Sequence, residues 1–256
     1  MDMRTTKRII YGAFYLGIWF LIFLAIYRAF LYTAPSCFDN IQNQGEAGVD
    51  CGGPCAKACI PKNLSTISPL ASPRIFVAIP GHYTFLVQVA NTNTGYVARG
   101  FEYSFDVYDA SETLIASVPG RSFMYGTEVK YLIAPNIAIS SGTVDHAVFA
   151  LGNVDWAPDS ALDLIPRFDV QNLGPGVSTP TTVSVNGQLT DNDASAFSNI
   201  LVIAVFKDAS GNPIGASQTV IDSIAPGETR PFSVLYPSNT DLAPALTSFY
   251  AYASRT

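Results

Sequence analysis

The longest apolar run in the chain constrains its fold more than any other feature. From Ile9 to Tyr27 the sequence IIYGAFYLGIWFLIFLAIY holds nineteen residues without a charge. At about 1.5 Å per residue, a helix of this length roughly spans a hydrocarbon core of about 30 Å. The run has no polar face, which argues against a core helix of a soluble domain. We therefore predict a transmembrane helix over residues 9–32, with Ile9–Tyr27 in contact with the lipid bilayer.

The basic residues around this run predict its orientation. Arg4, Lys7 and Arg8 precede it, whereas Arg28 alone follows it closely and the next basic residue is Lys57. Positive charge accumulates on the cytoplasmic side of a membrane helix. We therefore predict a single-pass cell-membrane protein with residues 1–8 in the cytoplasm and the C-terminal domains outside.

A cleavable signal peptide and a lipoprotein signal are the two alternatives to an uncleaved anchor. A signal peptide has an apolar region of about 7–15 residues and a small-residue cleavage site. Ala34 and Ser36 could form such a site, but the apolar run is longer than that range, so an uncleaved anchor is favoured. A lipoprotein acylated at Cys37 is the weakest of the three, because no Leu stands three residues before it and an odd number of cysteines would remain.

Composition and alternation after residue 32 indicate strands. The net charge is −6, and without clustered Lys and Arg the chain lacks what binding to nucleic acid requires. Short apolar alternating runs are separated by Gly, Asn, Asp and Pro, and no segment sustains a helical period. The predicted strands are Tyr83–Asn91, Phe101–Asp109, His146–Val154, Thr181–Thr190, Asn199–Asp208 and Pro231–Pro237. NLGPGVSTP (Asn172–Pro180) is predicted to be a turn. The fold class is therefore all-β.

The second half of the chain repeats the first. VYDASETLIAS (Val107–Ser117) matches FKDASGNPIGAS (Phe206–Ser217), a hairpin signal in which Gly211 supplies a positive φ. VQVANTNTG (87–95) matches VNGQLTDNDA (185–194), and LIAPN (132–136) is matched to SIAPG (223–227). This last match predicts an extra loop in the first copy, around RSFMYGTEVKY. We predict two tandem β-sandwiches of about 90 residues each, at 75–157 and 166–256, after a linker over 61–74.

The segment FDVYD (Phe105–Asp109) resembles the Phe-x-Leu-Tyr-Asp signature of FxLYD-type immunoglobulin-like domains, with Val in place of Leu. The second copy is similar in layout, although Ala204, Phe206 and Lys207 depart from the signature. The resemblance implies extracytoplasmic immunoglobulin-like β-sandwiches on a membrane-anchored protein, without catalytic residues.

All four cysteines lie in SCFDNIQNQGEAGVDCGGPCAKAC, predicted as a cysteine-rich module over 36–60. Cys37, Cys51, Cys55 and Cys59 are spaced by 14, 4 and 4 residues, a poor match to zinc knuckles. An oxidising compartment favours disulfides in a small unit without a core. Three connectivities are possible, and zinc or redox chemistry is the less favoured alternative.

Oxygen donors are dense within this module. Asp39, Asn43, Glu46 and Asp50 could ligate Ca²⁺, a hard cation that takes 6–8 oxygen ligands. Disulfides alone account for the segment equally well. The segment also resembles a DCGGxC-type cysteine-rich module of microbial surface proteins, a resemblance that implies architecture more than activity.

The sequence favours a non-catalytic role. His82 and His146 lie in no nucleophile motif, so we predict no enzyme activity and no certain cofactor. We expect an envelope scaffold, adhesion or partner-binding protein whose partner is an unknown envelope protein or glycan; the alternative is an accessory subunit of a membrane-embedded enzyme, secretion or pilus-like complex. Phe123, Met124, Tyr125 and Tyr131, expected to be exposed in the first copy's long loop, are weak candidates for partner contacts. Their packing against the sandwich core is the more common outcome for aromatic residues.

Overall fold

The computed structural model describes residues 3–31, 36–140, 142–160, 163–237 and 241–255. Tyr32, Ala34 and Thr256, which fall within segments interpreted from the sequence, lie outside these residues, as do Met1 and Asp2. The chain divides into two units, one up to Cys59 and the other from Ile60 onward.

The N-terminal run is helical, as predicted. Helix α1 spans Met3–Ile26 and continues as a π-helical turn over Tyr27–Leu31. None of the residues of α1 is buried, and the helix is long and apolar enough to cross a membrane. By length and composition it is a membrane anchor or a signal sequence.

The second unit is all-β, as predicted, and contains two β-sandwiches. The strands are β1 (Ser68–Pro69), β2 (Arg74–Ile79), β3 (His82–Ala90), β4 (Tyr96–Tyr108), β5 (Leu114–Met124), β6 (Val129–Ala138), β7 (His146–Pro158), β8 (Phe168–Ser178), β9 (Thr182–Asp191), β10 (Phe197–Lys207), β11 (Pro213–Ile224), β12 (Thr229–Pro237) and β13 (Ser248–Tyr252). A 3₁₀ turn over Pro244–Leu246 precedes β13.

The two sandwiches share one strand order. In the first, β3 pairs with β6 on one side and with β1 and β2 on the other, and the facing sheet has the order β5-β4-β7. In the second, the sheets have the orders β12-β9-β8 and β11-β10-β13. Strands β2–β7 therefore correspond one by one to β8–β13, so the repeat seen in the sequence is also a repeat of topology.

Each sandwich buries its own core between its two sheets. Phe85 and Val87 of β3 face Phe105 and Val107 of β4 in the first core. The second has two clusters, one around Leu189 and Ile200 and one around Ala204, Phe206 and Val234. Alternating side chains of facing sheets produce this packing.

A third apolar cluster joins the two sandwiches. Its buried residues come from the outer face of the β2-β3-β6 sheet and from the outer face of β11-β10-β13: Phe76, Leu86, Ile133, Ile203, Val205 and Ala216. The sheets consequently pack in four layers, and the region from Ile60 onward is one compact unit. The two sandwiches therefore pack against each other and are not joined by a linker alone.

The other two outer faces carry small or polar residues at the corresponding positions. The Leu86–Ile133 pair of β3 and β6 corresponds to the pair Asn186–Ser233 of β9 and β12. The Ile203–Tyr250 pair of β10 and β13 corresponds to Ser104–Ala150 of β4 and β7. Repetition of the same interface between molecules would build an open filament. The lack of large apolar side chains at these positions disfavours it, as the polar outer faces of terminal repeats do in repeat proteins.

The structure changes three details of the predicted layout. Part of the predicted linker 61–74 belongs to the first sandwich, because Ile67 is buried in its core and Ser68–Pro69 pairs with β3. Asn172–Pro180, predicted to be a turn, mostly lies in β8, where shifts of register accommodate Gly174. These segments are irregular in sequence because they lie at sheet edges, where broken pairing is tolerated.

The third change concerns the repeat. LIAPN lies inside β6, whereas SIAPG lies at the β11–β12 turn. The true counterpart of that turn is Tyr125–Glu128, since the backbone N–H of Glu128 donates to Tyr125 O at 3.4 Å and that of Glu228 donates to Ala225 O at 3.0 Å. The first copy therefore has no extra loop, and RSFMYGTEVKY forms the end of β5, the turn and the start of β6.

Candidate functional site

The cysteine module is held by two disulfides. Cys37 bonds to Cys55 and Cys51 bonds to Cys59, and no free cysteine remains. This pairing selects one of the three possible connectivities. The two bonds close loops with sequence separations of 18 and 8 residues. In the chain-entropy description such loops stabilise by about 2.5–3 kcal/mol each, which orders a segment with almost no apolar core.

Two carboxylates of the module serve as acceptors for its backbone. The Asp50 carboxylate accepts hydrogen bonds from the N–H of Asp39 at 3.0 Å and from the N–H of Asn40 at 3.0 Å. The Asp39 carboxylate accepts from the Asn43 amide at 2.9 Å and from the N–H of Ser36 and Ile41. The Asn43 bond is the largest cause of the lowered pKa of Asp39. These side chains thus replace regular secondary structure as partners for backbone donors.

Glu46 is the buried carboxylate of the module. Its Oε2 accepts from the N–H of Asp50 at 3.2 Å and of Asn43 at 3.4 Å. Its Oε1 lies 3.0 Å from Cys55 Sγ, but that sulfur is bonded to Cys37 and carries no hydrogen. Cys37, Glu46 and Cys55 form a compact cluster of potential ligand atoms. In the disulfide-bonded form neither sulfur is a thiolate, so the cluster lacks the soft ligands that zinc prefers.

The four residues predicted as calcium ligands lie together. Asp39 contacts Asn43, Glu46 contacts Asp50, and Asp50 contacts the backbone of Asp39. Asn43 Oδ1 is buried without a hydrogen-bond partner among the described residues. The carboxylates accept hydrogen bonds from N–H groups of the protein. These hydrogen bonds are a sufficient reason for three acidic residues to lie so close together, without a bound ion. Calcium binding stays a prediction.

The four aromatic and sulfur-containing candidates for partner contact are not exposed loop residues. Met124 is part of the first core, and Tyr125 is buried. The Tyr125 hydroxyl donates to Ala253 O at 3.0 Å, across the contact between the sandwiches. Tyr131 packs on Tyr250 with ring centroids 4.7 Å apart, and Phe123 is half-buried. Tyr125 and Tyr131 therefore contact the second sandwich, whereas Met124 and Phe123 pack within the first. Binding of these residues to an external partner stays a prediction.

Two buried charged residues that the sequence patterns did not predict, Glu128 and Lys130, lie beside them. Lys130 Nζ donates to Phe123 O at 3.0 Å and lies 3.5 Å from the centroid of the Phe123 ring. Burial lowers the pKa of Lys130 to about 8 and raises the pKa of Glu128, while each charge counteracts the shift of the other. Glu128 accepts from the N–H of Tyr125 at 2.8 Å. The sequence does indicate that Lys130 is buried. Side chains two residues apart lie on the same face of a strand, so Lys130 shares its face with the inward-facing Leu132.

A shallow groove of about 480 Å³ lies on the outer face of β5-β4-β7. Small residues form its floor, among them Ser104, Ala150 and Gly152. At one side Arg121 donates to Glu102 at 2.7 Å, with both side chains exposed. An exposed pair of this kind adds little stability, so its charges are available to a polar ligand.

The two histidines lie apart from this groove and have local partners. His82 Nδ1 is 3.0 Å from Asn136 Oδ1. His146 stacks on Tyr108 and lies 3.0 Å from Asp145 Oδ2. Each imidazole ring thus has a hydrogen-bond or stacking partner close to it in the structure.

Comparison with protein-family models gives no match, and comparison with curated proteins gives none either. The functional interpretation therefore depends on the fold and the chemistry of this chain. An apolar N-terminal helix and a disulfide-bonded module are compatible with a membrane-anchored protein whose domains lie outside the cytoplasm.

Proposed function

We propose that the chain is a membrane-anchored, extracytoplasmic, non-catalytic protein that acts as an envelope scaffold, adhesion or partner-binding protein. The N-terminus lies in the cytoplasm, α1 crosses the membrane, and the disulfide-bonded module and the sandwiches lie outside. The basic residues before α1 support this orientation, and disulfides are typical of oxidising compartments.

The observation that carries the proposal is the distribution of apolar faces. The apolar faces of the two sandwiches meet at Leu86, Ile133 and Ile203, which fixes them as one body. The polar outer faces remain available, one of them with the groove beside Glu102 and Arg121. A rigid body with a groove bordered by the charges of Glu102 and Arg121 suits the presentation of a surface to an envelope protein or glycan.

We also propose that both sandwiches are FxLYD-type immunoglobulin-like domains. Their shared strand order supports this, and so do their equivalent turns. In the first turn Asp109 Oδ1 accepts from the N–H of Ser111 and of Thr113, and in the second Asp208 Oδ1 accepts from Ser210 and Asn212. The Asp of the signature is thus the residue that closes each β-hairpin.

Site-specific photo-cross-linking tests the proposed function. A photoreactive amino acid at Ser104 in the full-length chain, expressed in membranes, is expected to capture a protein or glycan at the groove. Ser233, on the opposite polar face, is the matched control. Absence of any adduct at Ser104 contradicts partner binding through the groove. A stoichiometric membrane complex that survives detergent extraction favours the accessory-subunit alternative.

A further inference from the structure

Asn91 and Asp191 occupy the same place in the two sandwiches. The N–H of Asn91 donates to Glu128 O at 3.0 Å, and the N–H of Asp191 donates to Glu228 O at 3.0 Å. In each copy the side-chain Oδ1 accepts from the backbone N–H two residues later, at 3.0 Å in the first copy and 2.9 Å in the second. Asn91 is 1% exposed and Asp191 is 0% exposed. The two side chains therefore have the same setting and differ in their second terminal atom.

That second atom is a donor in the first copy and an oxygen in the second. Nδ2 of Asn91 donates to Tyr125 O at 2.9 Å and to Tyr96 O at 3.1 Å. Oδ2 of Asp191 is buried without a hydrogen-bond partner among the described residues. Because Ala225 is the counterpart of Tyr125, Oδ2 takes the place of an N–H group that binds a backbone carbonyl. A carboxylate cannot donate there, whereas a protonated carboxyl group can.

The electrostatic surroundings of Asp191 favour the same protonated form. Burial is the largest cause of the raised pKa of its carboxyl group. The hydrogen bond from the N–H of Asp193 and the charge of Arg255 lower this pKa, and the negative charge of Asp193 raises it. Since the ordinary pKa of aspartate is 3.8, the folded chain keeps this proton at pH values where the unfolded chain has lost it.

Most of the charged groups around Asp191 already form ion pairs. Arg255 donates from two guanidinium nitrogens to the Asp193 carboxylate. Glu228, on the β11–β12 turn, pairs with Arg230 at 2.6 Å, and Arg167, which precedes β8, is exposed. Ionisation of the carboxyl group at position 191 would therefore bury a further negative charge beside an arginine that is already paired, which is costly.

We propose that Asp191 is a proton-binding site and acts as a pH-sensitive switch of the second sandwich. As a neutral acid it donates its proton from Oδ2 to the carbonyl oxygen of Ala225, as the Asn91 amide donates to Tyr125 O. Loss of the proton to solvent removes this hydrogen bond and leaves a carboxylate beside a carbonyl oxygen. The same corner adjoins the first sandwich, because the N–H of Arg255 donates to the Tyr125 hydroxyl at 2.9 Å. The second sandwich is thus held more firmly in acid than at neutral pH.

The stability that this proton contributes is fully present below pH 3.8 and is lost as the pH rises through the raised pKa of Asp191. Other carboxylates titrate in the same range, so the comparison is made between variants. Asp191→Asn supplies the N–H donor that Asn91 supplies in the first copy, and it carries no charge. Asn91→Asp is the reciprocal variant.

Urea denaturation of the full-length chain in detergent, at about pH 4.5 and about pH 7.5, tests the switch. At the higher pH the ratio of folded to unfolded chain is expected to rise at least about fivefold in Asp191→Asn, the effect of pairing a buried polar group. Asn91→Asp is expected to lower that ratio by a similar factor, and both effects are expected to shrink at the lower pH. Asp222→Asn is the matched control, because Asp222 is exposed on β11; its ratio should change less than about twofold at either pH.

Infrared spectroscopy of the wild type detects the proton without any variant. Labelling aspartate with ¹³C separates its carboxyl band from that of Glu128, whose pKa burial also raises. A band of protonated aspartate is expected to persist above the pH at which ordinary aspartates ionise, and Asp191→Asn is expected to remove it.

A gain in Asp191→Asn that grows with pH, together with this band, supports the proton-binding site. Absence of the band overturns it, and so does a gain that is equal at both pH values. Asp191→Asn less stable than wild type at about pH 7.5 also overturns it; stabilisation of the wild type by Ca²⁺ would then identify Oδ2 as a cation ligand.

Discussion

The contact between the sandwiches predicts the effect of a single truncation. Ile133 is 8% exposed within the cluster that joins the sheets. Truncation of a buried isoleucine to alanine typically costs about 2–5 kcal/mol, through lost transfer free energy and the remaining cavity. For Ile133→Ala we expect a loss of about 3 kcal/mol in the free energy of unfolding, and a fall of about 6–12 °C in the midpoint of a domain pair of this size.

The repeat supplies the matched control. Ser233 occupies the corresponding position on the free face of the second sandwich and is exposed. Ser233→Ala is expected to change the free energy of unfolding by less than about 0.5 kcal/mol. Guanidinium titration followed by circular dichroism, with calorimetry on the same full-length samples in detergent, measures both variants.

The cooperativity of unfolding provides a second measurement. One coincident transition is expected for wild type, because each sandwich covers an apolar face of the other. The reasoning is refuted if Ile133→Ala matches Ser233→Ala, or if wild type unfolds in two separate transitions of which only one responds to Ile133→Ala. The first result would show that the contact contributes little stability, and the second that the sandwiches unfold independently.

Three further predictions concern titration, backbone strain and the cysteine module. Because the pKa of Lys130 falls from 10.5 to about 8 in the folded chain, the unfolded chain binds the extra proton between these values, so stability is expected to rise with pH across this window, by on the order of 3 kcal/mol. Lys130→Met should remove this rise in denaturation curves between pH 7.5 and 10, and an unchanged rise would contradict its assignment to Lys130. Glu112 has a φ of +60°, whereas its counterpart Gly211 has +84°; Glu112→Gly should stabilise by up to about 1 kcal/mol and Gly211→Ala should destabilise, and opposite signs in thermal melts would refute the role of the turn. Non-reducing mass spectrometry should find no free thiol and link Cys37 to Cys55. Calorimetry decides between the two interpretations of the acidic residues: Ca²⁺ binding predicts heat that Asp50→Asn removes, whereas no heat in wild type leaves the disulfides alone to account for the module.

The strands were predictable because a strand that buries one face has apolar and polar residues in alternation. Six predicted strands correspond to β3, β4, β7, β9, β10 and β12, with ends that differ by a few residues. Turn chemistry was equally local: Gly211 has the positive φ expected from its sequence, and the Asp before it closes the turn. The mismatch of LIAPN with SIAPG arose because a short apolar motif can occur in a strand or at a turn, and only strand pairing distinguishes them.

The sequence also held a signal for the contact between sandwiches. ILVIAVF in β10 is apolar at nearly every position, as is typical of a strand buried on both faces. TVSVNGQLT in β9 alternates, as is typical of a strand with one free face. The pattern of β10 indicates that other residues pack on both of its faces. No local pattern indicates which part of the chain packs on its outer face.

By itself, then, the sequence determined the apolar helix, the all-β fold, the repeat and the confinement of the cysteines to one module, because each follows from local periodicity, composition or spacing. Only the tertiary structure decided which cysteines bond, which sheet faces meet and that Lys130 is buried. These depend on contacts between residues that are not neighbours in the chain, and the free energy of such a contact is set by both partners. The apolar pattern of a strand shows that its face must be buried, and the tertiary structure determines which residues bury it.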